Sequence, residues 1–594
     1  KSGAVTSATS SHCGCPHPSH GFIRRVASAA LALAWPLAAP ALALAESTTG
    51  KIFATPRTGA DLVLRNCSLV TMDEKRPSAQ AMAIKGDTIV GLGDHEEMVH
   101  LMDGETRVID LNNDCVSPGI IDAHSHLIAF GQMQLMFVIL RPPEIDSFDT
   151  LRKALAKAAR DKPKNEWIVG RGFRDFKEGR FPTRRELDEA VPTNPVLIIH
   201  WSGQFGVANT SALKKADLLR ADIKDPYGGA YLRGKDKLPN GILVHYPAIY
   251  SVYTPPMTDG QQLEAATWAM RLFAEQGVTC VHDNFIPAHK ALKYIELEQR
   301  SELPIRIRVY PYIPNLERCR VLLSKVKRRQ TSMLRFQGVK LAIDGYPLMY
   351  TPLEKTKERL VKPMHPKDQF EAIITAIHAA DYQVDVHAVG DKAVDFTLDG
   401  FLKACGSASE CRRRRHRIEH FPFRKLDSIK RAADYGVPVC SQPEMITVRG
   451  DELLVKTDKK LVNSITPIAT FMKEGVTISF GADVPAFPSY RPLDSIKTAM
   501  LRKTEKGRQL DESERISFMA GLSCHTINAA YAGFDEKELG SLEVGKKADF
   551  VIWNRDLRKI ESESDLAELK PKATFIGGKI VFESNPGFLM NQKL

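Results

Sequence analysis

The sequence predicts an α/β fold: a parallel, TIM-like (βα)8 barrel with an insertion and a small composite β-sandwich domain. Two observations predict it. Short, nearly continuous apolar runs alternate with helix-like stretches along most of the 594 residues, which is the pattern of buried parallel strands joined by helical crossovers. Shorter alternating runs, broken by Gly, Asn and Asp, occur near both chain ends, where they predict strands and hairpins.

Eight apolar runs are candidates for the barrel strands. In chain order they are "GIIDAH", "GVTCVHD", "RIRVYPYI", "FQGVKLAID", "YQVDVHA", "HRIEHF", "VPVCSQ" and "VTISFGAD". Several connections between them have a helical pattern, for example "KDQFEAIITAIHAA" and "KLDSIKRAADY". The first and second candidates lie too far apart for one crossover, so we expect an inserted subdomain at about residues 135–275.

The β-rich runs at the two ends predict a second domain. "ADLVLRNCSLVTM" lies near the start, and "GSLEVGKKADFVIWN" and "PKATFIGGKIVFE" close the chain. We expect these segments to pair into one composite β domain, formed by residues 46–116 and 536–594. The barrel with its insertion then occupies residues 117–535.

Composition argues against a nucleic-acid-binding protein. The chain is 43% apolar and 26% charged, which is ordinary for a globular protein. Its net charge of +11 is dispersed, and the one dense basic run, "RRRRHR" at residues 412–417, is short. We expect this run to be a solvated loop that leads into a strand.

Residues 1–45 have the pattern of an export signal. "GFIRRVASAALALAWPLAAPALALAES" has two arginines, an apolar stretch and an Ala-x-Ala end. We therefore expect a periplasmic or secreted protein with no stable membrane span after signal removal. An uncleaved signal would instead anchor the chain to the membrane. In an oxidising compartment Cys405 and Cys411, in "CGSASEC", could form a disulfide, and the sequence leaves this open.

Two histidines one residue apart, His124 and His126 in "SPGIIDAHSHL", end the first barrel strand. Residues i and i+2 of a strand face the same side, so both imidazoles point together. They lie at the carboxyl end of the strand, where barrels of this kind have their active sites. Imidazole is the commonest metal ligand, although two hydrogen-bonded histidines at a strand end are an alternative interpretation.

Other strand ends strengthen the metal-site interpretation. His387, His420 and Asp483 end the fifth, sixth and eighth candidate strands. Nitrogen and oxygen ligands of this kind suit Zn²⁺ or a similar divalent ion. Lys340 lies between Val339 and Leu341 in the fourth strand. It either forms a buried salt bridge or, with its pKa lowered by desolvation, captures CO₂ to give a carbamate that bridges two metals.

With these residues the chain resembles the amidohydrolase superfamily, specifically the amidohydrolase family 3 branch that includes N-substituted formamide deformylases. The resemblance covers nearly all of residues 55–585. Its markers here are "SPGIIDAHSH", "GVTCVHD", "VKLAIDG", "VHAVGDKAVD", "HRIEH", "SFGADVP" and "GSLEVGKKADFVIW".

The resemblance implies a role for each candidate ligand. His124, His126 and Asp483 would hold a first metal, His387 and His420 a second, and carboxylated Lys340 would bridge them; a mononuclear site with fewer ligands is the alternative. The metals, most simply two Zn²⁺, would generate hydroxide near neutral pH. Asp483 would take the proton of the water and deliver it to the departing amine.

The insertion departs from the family pattern. Many relatives have an Asp-Gly-His stretch where this chain has Ser202-Gly203-Gln204, and an acidic residue where "NGILVHYP" offers His245. We therefore do not carry formamides over as substrates. The candidate substrate-binding residues are His200, Trp201, Gln204 and His245, which could equally be packing residues of the insertion.

The sequence thus predicts an exported, metal-dependent amidohydrolase that cleaves a non-peptide amide C–N bond, linear or cyclic, in a small-molecule substrate. One alternative is a mononuclear metal deaminase, against which Lys340 argues because such relatives lack a lysine on the fourth strand. The other is a non-catalytic regulator of exoenzyme production, against which the six filled ligand positions argue. By analogy the chain could form a homodimer.

Overall fold

The structure of the protein is a computed structural model, and it describes residues 59–226, 228–252, 257–325, 330–345, 363–456 and 459–587. The export signal predicted for residues 1–45 lies outside the described residues. Within the described ranges, no helix is long and apolar enough to cross a membrane.

Seven short strands precede the barrel. They are β1 (Leu62–Arg65), β2 (Ser68–Val70), β3 (Ser78–Ala79), β4 (Ala81–Lys85), β5 (Thr88–Gly93), β6 (Arg107–Asp110) and β7 (Cys115–Pro118). Four of them form a sheet in the order β5-β4-β1-β6. The other three extend a second sheet, described below, to which the chain end contributes.

The first barrel strand, β8 (Ile120–Ser125), is followed by an inserted sheet rather than by a simple crossover. The strands of this sheet are β9 (Val138–Ile139), β10 (Ile168–Phe173), β11 (Val196–His200), β12 (Phe205–Ala208), β13 (Ala230–Arg233) and β14 (Pro239–Val244). Their order is β13-β14-β12-β11-β10-β9. The insertion therefore has its own sheet and its own small apolar core.

The remaining barrel strands follow in chain order. They are β15 (Val278–Pro287), β16 (Arg306–Tyr312), β18 (Gly338–Ala342), β19 (Gln383–Ala388), β20 (Arg417–His420), β21 (Val439–Ser441) and β22 (Ile478–Phe480), with β17 (Leu334–Phe336) beside β16. Each pairs with the next in parallel, starting from β8. All eight predicted strands are present, and the prediction of a parallel (βα)8 barrel is confirmed.

The two end strands of this sheet, β8 and β22, come together and nearly close the barrel. The N–H of Asp483 donates to the carbonyl of His124 at 2.7 Å, and the N–H of His126 donates to the carbonyl of Val484 at 3.0 Å. The loop after β22 is thereby fixed to the end of β8, which brings residues far apart in the sequence to one site.

The last strands return to the beginning of the chain. They are β23 (Phe550–Trp553), β24 (Pro571–Ile576) and β25 (Lys579–Glu583). They join the early strands in the order β25-β24-β23-β7-β2-β3. β23 pairs antiparallel with β7, with Phe550 opposite Pro118 and Trp553 opposite Cys115. Strands from both chain ends thus lie in one sheet.

The helices surround the barrel and complete the insertion. They are α1 (His95–Val99), α2 (Leu127–Met136), α3 (Phe148–Arg160), α4 (Arg184–Ala190), α5 (Thr210–Lys215), α6 (His245–Tyr250), α7 (Asp259–Glu275), α8 (Ala288–Gln299), α9 (Leu316–Lys325), α10 (Lys367–Ala379), α11 (Asp391–Cys405), α12 (Ala408–Arg414), α13 (Leu426–Asp434), α14 (Glu444–Lys456), α15 (Lys459–Asn463), α16 (Ile468–Lys473), α17 (Pro492–Leu501), α18 (Phe518–Cys524), α19 (Ile527–Ala532) and α20 (Glu563–Glu568). Local signals set several helix boundaries. Thr258 and Gln261 form a capping box at the start of α7, and Gly406, at φ +74°, ends α11.

The two largest apolar clusters lie between the barrel strands and the helices around them.

The basic run at residues 412–417 is not the solvated loop that we predicted. Its first three arginines end α12, and Arg414 and Arg417 are buried. Arg417 begins β20, where its side chain meets acidic groups inside the barrel. The density of positive charge at residues 412–417 was misleading, because Arg414, Arg415 and Arg417 pair with carboxylates within the fold, namely Asp381, Glu536 and Glu419.

The thiols of Cys405 and Cys411 are free and lie close to each other, and Cys411 Sγ donates to the carbonyl of Phe401 at 3.5 Å. Cys405 ends α11 and Cys411 lies in α12. The contact leaves the predicted disulfide open.

Candidate metal centre

The six predicted ligands lie together at the carboxyl end of the barrel. His124 is the next-to-last residue of β8 and His126 lies just beyond that strand. Lys340 is on β18, His387 is on β19, His420 ends β20, and Asp483 follows β22 by three residues. Because parallel strands present their carboxyl ends at one face, residues from five strands converge there.

His124, His126 and Asp483 form the tightest group. His126 Nε2 lies 2.9 Å from Asp483 Oδ1, and His124 Nε2 lies 3.5 Å from the same oxygen. The three potential ligand atoms all lie within 4.8 Å of one another. His124 is almost completely buried, whereas His126 remains partly open toward the mouth of the barrel.

The hydrogen bonds of the two rings show that a cation belongs between them and Asp483. His126 Nδ1 donates to the carbonyl of Asn284 at 2.6 Å, and His124 Nδ1 donates to the Glu419 carboxylate. With the single proton of a neutral imidazole used at Nδ1, each Nε2 presents a lone pair to a carboxylate oxygen. Two lone pairs at this distance repel, so the arrangement requires either an extra proton or a metal ion.

The electrostatics agree with this conclusion. Burial lowers the pKa of His124, but the Glu419 charge and the contacts with Asp483 and Glu419 together outweigh burial and raise that pKa to about 9. Burial raises the pKa of Asp483, but its contacts with the His124 and His126 rings hold it well below its usual range. The site therefore favours positive charge next to an ionised carboxylate, which is what a divalent cation supplies.

His387 and His420 form a neighbouring pair. Their ring centroids are 4.4 Å apart, and the centroid of His420 is 5.2 Å from that of His124. His420 Nδ1 donates to Gln442 Oε1 at 2.6 Å, which leaves its Nε2 lone pair free. His387 Nε2 is buried and has no hydrogen-bond partner among the described residues. Burial lowers the pKa of both, well below its usual value for His387 and to about 4 for His420. Neutral, unsatisfied imidazoles are suited to a metal.

Lys340 lies below the histidines inside the barrel. Its Nζ is buried and contacts Asp385 Oδ1 at 3.0 Å. The Lys340 charge lowers the pKa of His124, His387 and His420, so the ammonium group lies near all three imidazoles. Burial and the Glu419 charge raise the pKa of Asp385 to about 6. The buried salt bridge that the sequence left as an alternative is therefore present.

The backbone is bent at two of these residues. His420 has φ +78° and Asp483 has φ +49°, a left-handed conformation that residues other than Gly seldom adopt. His420 is the last residue of β20 and Asp483 follows β22, so each bend lies where a barrel strand ends at the site. Backbone strain of this kind is concentrated at functional sites and persists where surrounding contacts impose it.

Sequence reasoning missed a layer of residues that hold the ligands. Glu419 contacts both His124 and Arg417, whose Nε lies 2.5 Å from Glu419 Oε1. Asp122 accepts from the N–H groups of His124 and Ala482, at 3.1 Å and 2.9 Å. The sequence did contain a signal for these acidic residues, because Asp122, Asp385 and Glu419 are on the same strands as the ligands. Alternation along the strand also places Asp122 and Asp385 on the side of the strand that carries the ligands.

The four predicted substrate-binding residues have two kinds of surroundings. His245 begins α6 with its ring beside Gly345, just beyond β18, and its buried Nδ1 has no partner among the described residues. Trp201 lies 5.9 Å from the Phe487 ring, in the loop after Asp483. These two border the mouth of the barrel.

His200 and Gln204 are buried within the insertion. The His200 ring is surrounded by aromatic rings, with centroids of Phe173 and Phe181 at 5.2 Å and 5.4 Å, and its Nδ1 contacts Ser202 Oγ at 2.8 Å. Burial lowers its pKa to about 3. The carbonyl of Gln204 accepts from the N–H of His245 at 2.7 Å. The structure gives both residues packing contacts.

Comparison with known proteins identifies the family. A model of the amidohydrolase family, type 3, matches residues 107–582, which include the barrel and most of the composite sheet. The chain belongs to amidohydrolase family 3. It is a metal-dependent hydrolase of carbon–nitrogen bonds other than peptide bonds.

Several curated proteins are similar to this amidohydrolase over nearly their full length. "Protein LONG AFTER FAR-RED 3" of Arabidopsis thaliana is 30% identical over 551 residues, covering 89% of this chain and 93% of its own. The N-substituted formamide deformylase of Arthrobacter pascens is 25% identical, covering 88% and 98%. The putative amidohydrolase YtcJ of Bacillus subtilis is 25% identical, covering 87% and 98%.

Solved structures agree with the amidohydrolase fold. An uncharacterized metal-dependent hydrolase from Pyrococcus horikoshii superposes with a TM-score of 0.68 at 23% identity, over 84% of this chain and 98% of that one. An adenosine deaminase from Xanthomonas campestris with bound zinc superposes with a TM-score of 0.51 at 13% identity, over 88% and 93%. At these identities the likeness concerns the fold.

Proposed function

We propose that this amidohydrolase cleaves a non-peptide amide C–N bond, linear or cyclic, at a site for two divalent metal ions. One observation carries the proposal: Nε2 of His126 and Nε2 of His124 both face Asp483 Oδ1, at 2.9 Å and 3.5 Å, while their Nδ1 atoms face other acceptors. These three residues would hold one metal ion. His387, whose Nε2 is unsatisfied, and His420 would hold the second. The N/O donor set suits Zn²⁺.

Lys340 is proposed as the bridge between the two ions. It is buried and close to His124, His387 and His420. A bridge requires that Nζ first loses a proton and that the neutral amine then attacks CO₂, which releases a second proton and gives an anionic oxygen ligand. The salt bridge to Asp385 competes with this reaction. The pKa of Asp385, raised to about 6, allows it to be protonated beside the anionic carbamate.

Asp483 is proposed to move the proton. Divalent ions at this site would polarise the amide carbonyl and lower the pKa of the attacking water. The Asp483 carboxylate, which lies at the rim of the site, accepts a proton from that water as the new C–O bond forms. It then returns the proton to the departing amine nitrogen as the C–N bond breaks, which leaves a carboxylic acid and an amine.

Three neighbours keep the histidines in the tautomer that this role needs. Glu419, the Asn284 carbonyl and Gln442 accept from Nδ1 of His124, His126 and His420. Each acceptor fixes the proton at Nδ1 and leaves Nε2 as the ligand atom.

We also propose that the protein is exported, on the pattern of residues 24–45. The proposal of export does not depend on the proposed amide hydrolysis. Fractionation of a tagged full-length protein tests it, and recovery of all the protein with the cytoplasm would contradict it.

A panel of amides tests the proposed reaction. The full-length protein, prepared with zinc and bicarbonate, is incubated with N-formyl and N-acetyl amines, cyclic ureides and aminopurines. Release of an amine or ring opening supports amide hydrolysis. Ammonia from aminopurines alone would favour the mononuclear deaminase. Turnover of none, with two metal ions bound, would contradict the proposed reaction.

A further inference from the structure

A series of contacts between neighbouring side chains connects Arg171, in β10 of the inserted sheet, with the metal centre. A Cβ placed on Gly203 would lie 3.3 Å from Arg171 Nη2 and 3.6 Å from the Tyr246 ring. The Tyr246 ring is 4.9 Å from that of Phe285, which is 6.4 Å from that of His126. The Asp483 charge also acts on Arg171. The guanidinium therefore lies beside the mouth of the barrel.

Arg171 differs from the other arginines inside this protein. Arg306 and Arg308 each make two hydrogen bonds to one carboxylate, at 2.6–3.0 Å. Arg417 pairs with Glu419, and Arg502 donates to backbone carbonyls. Among the described residues Arg171 has no hydrogen-bond or ion-pair partner, and its Nε is buried and unsatisfied. Burial lowers its pKa.

A second arginine adds positive charge at the same place. Arg141 lies against Gly172, and its Nη2 donates to the carbonyl of Pro485 at 3.1 Å, in the loop after Asp483. Its Nε is also buried without a partner among the described residues. Burial lowers the pKa of Arg141 most, and the charges of Arg171 and Arg174 lower it further, to about 10. Two partly buried cations side by side favour the binding of an anion.

We propose that Arg171, with Arg141 behind it, binds a carboxylate of the substrate. The proposal rests on the proposed function, and it narrows the substrate class to amides that carry a carboxylate beyond the scissile bond. A guanidinium is planar and matches a carboxylate with two parallel hydrogen bonds. Gly203 leaves the space in front of Nη2 unobstructed by a side chain. The neutral rings of Tyr246 and Phe285 would contact the apolar part of the substrate between the two charged ends.

Binding, measured apart from turnover, tests this site. Isothermal titration of the full-length, zinc-loaded protein with 3-phenylpropionate and with 3-phenylpropionamide compares a carboxylate with its neutral analogue. We expect the carboxylate to bind about 10- to 100-fold more tightly, the range of a charged, paired hydrogen bond. Arg171→Met should abolish this preference and Arg171→Lys should reduce it. Arg185→Met, at an exposed arginine of the insertion, is the matched control and should retain it.

The outcomes separate this proposal from the proposed function. Equal affinity of the wild-type protein for both ligands would overturn the carboxylate site, whatever the variants do. A preference that survives in folded Arg171→Met would also overturn it and assign the carboxylate to the metal ions. Loss of the preference in Arg171→Met, with unchanged thermal unfolding, supports the site even if no amide is hydrolysed. In that case only the proposed reaction fails.

Discussion

The Glu419 carboxylate joins the Arg417 guanidinium to Nδ1 of His124, a residue 295 positions away in the sequence. Burial raises the pKa of Glu419, but the charges of Arg417 and Lys340 hold it well below its usual range. The ionised carboxylate fixes the proton of His124 at Nδ1. One buried ion pair thus determines which nitrogen of a proposed ligand faces Asp483.

Glu419→Gln should weaken metal binding. The amide keeps the shape of the side chain but loses the charge that orients His124, and loss of such an outer contact lowers metal affinity by about 10- to 100-fold. Competition with a zinc chelator measures the change. Glu410→Gln, at a surface ion pair with Arg413, is the control. Unchanged affinity in Glu419→Gln would mean that His124 needs no orienting group.

Asp483→Asn should stop turnover while leaving metal bound. The amide oxygen can remain a ligand, but the side chain can no longer accept and return a proton. We expect kcat to fall by about 10²- to 10⁴-fold, the range of general acid–base catalysis. Metal analysis of the same sample separates the two roles. A variant with unchanged kcat would remove Asp483 from the mechanism.

Lys340→Ala should lose activity and regain part of it with added propionate. The short carboxylate can occupy the space left by the side chain and supply the bridging oxygens of the proposed carbamate. Rates with and without propionate measure the rescue. Lys392→Ala, at an exposed lysine of α11, should be fully active and unaffected. Full activity of Lys340→Ala would eliminate the carbamate.

Glu444 should make stability depend on pH. Burial raises its pKa from the ordinary 4.5 to about 8, and Ser495 donates to it at 2.5 Å. Between these two values the folded state holds a proton that the unfolded state has lost, so stability falls as pH rises from about 4.5 to 8. Glu444→Gln should therefore raise Tm relative to the wild type at pH 9 but not at pH 4.

Calorimetry across this pH range, with Glu96→Gln as an exposed control, measures the difference. If the difference in Tm between Glu444→Gln and the wild type were the same at pH 4 and pH 9, Glu444 would be ionised in the folded protein.

Much of the site could be predicted because it depends on short patterns. Alternation along a strand paired His124 with His126, and the common carboxyl face of parallel strands brought His387, His420 and Asp483 to them. Each of these inferences uses local sequence and one rule of the fold. The same reasoning located Lys340 in the fourth strand but did not decide between its salt bridge and its carbamate.

The features that were missed depend on contacts between distant segments. The pairing of Glu419 with His124 requires the register and diameter of the barrel, which no local pattern contains. The run at residues 412–417 was misinterpreted because Arg414 and Arg415 pair with Asp381 and Glu536, which are far away in the sequence. Inside the insertion, adjacent residues have different surroundings: His200 packs among aromatic rings, whereas Trp201 reaches the barrel mouth.

Metal content per chain tests the central claim most directly. The full-length protein is purified without chelator in the presence of bicarbonate and analysed by plasma emission spectrometry. We predict about two equivalents of zinc or a similar divalent ion, and a fall to about one in a variant with both His387→Ala and His420→Ala. A folded wild-type protein that binds no metal, even after incubation with zinc, would contradict the account.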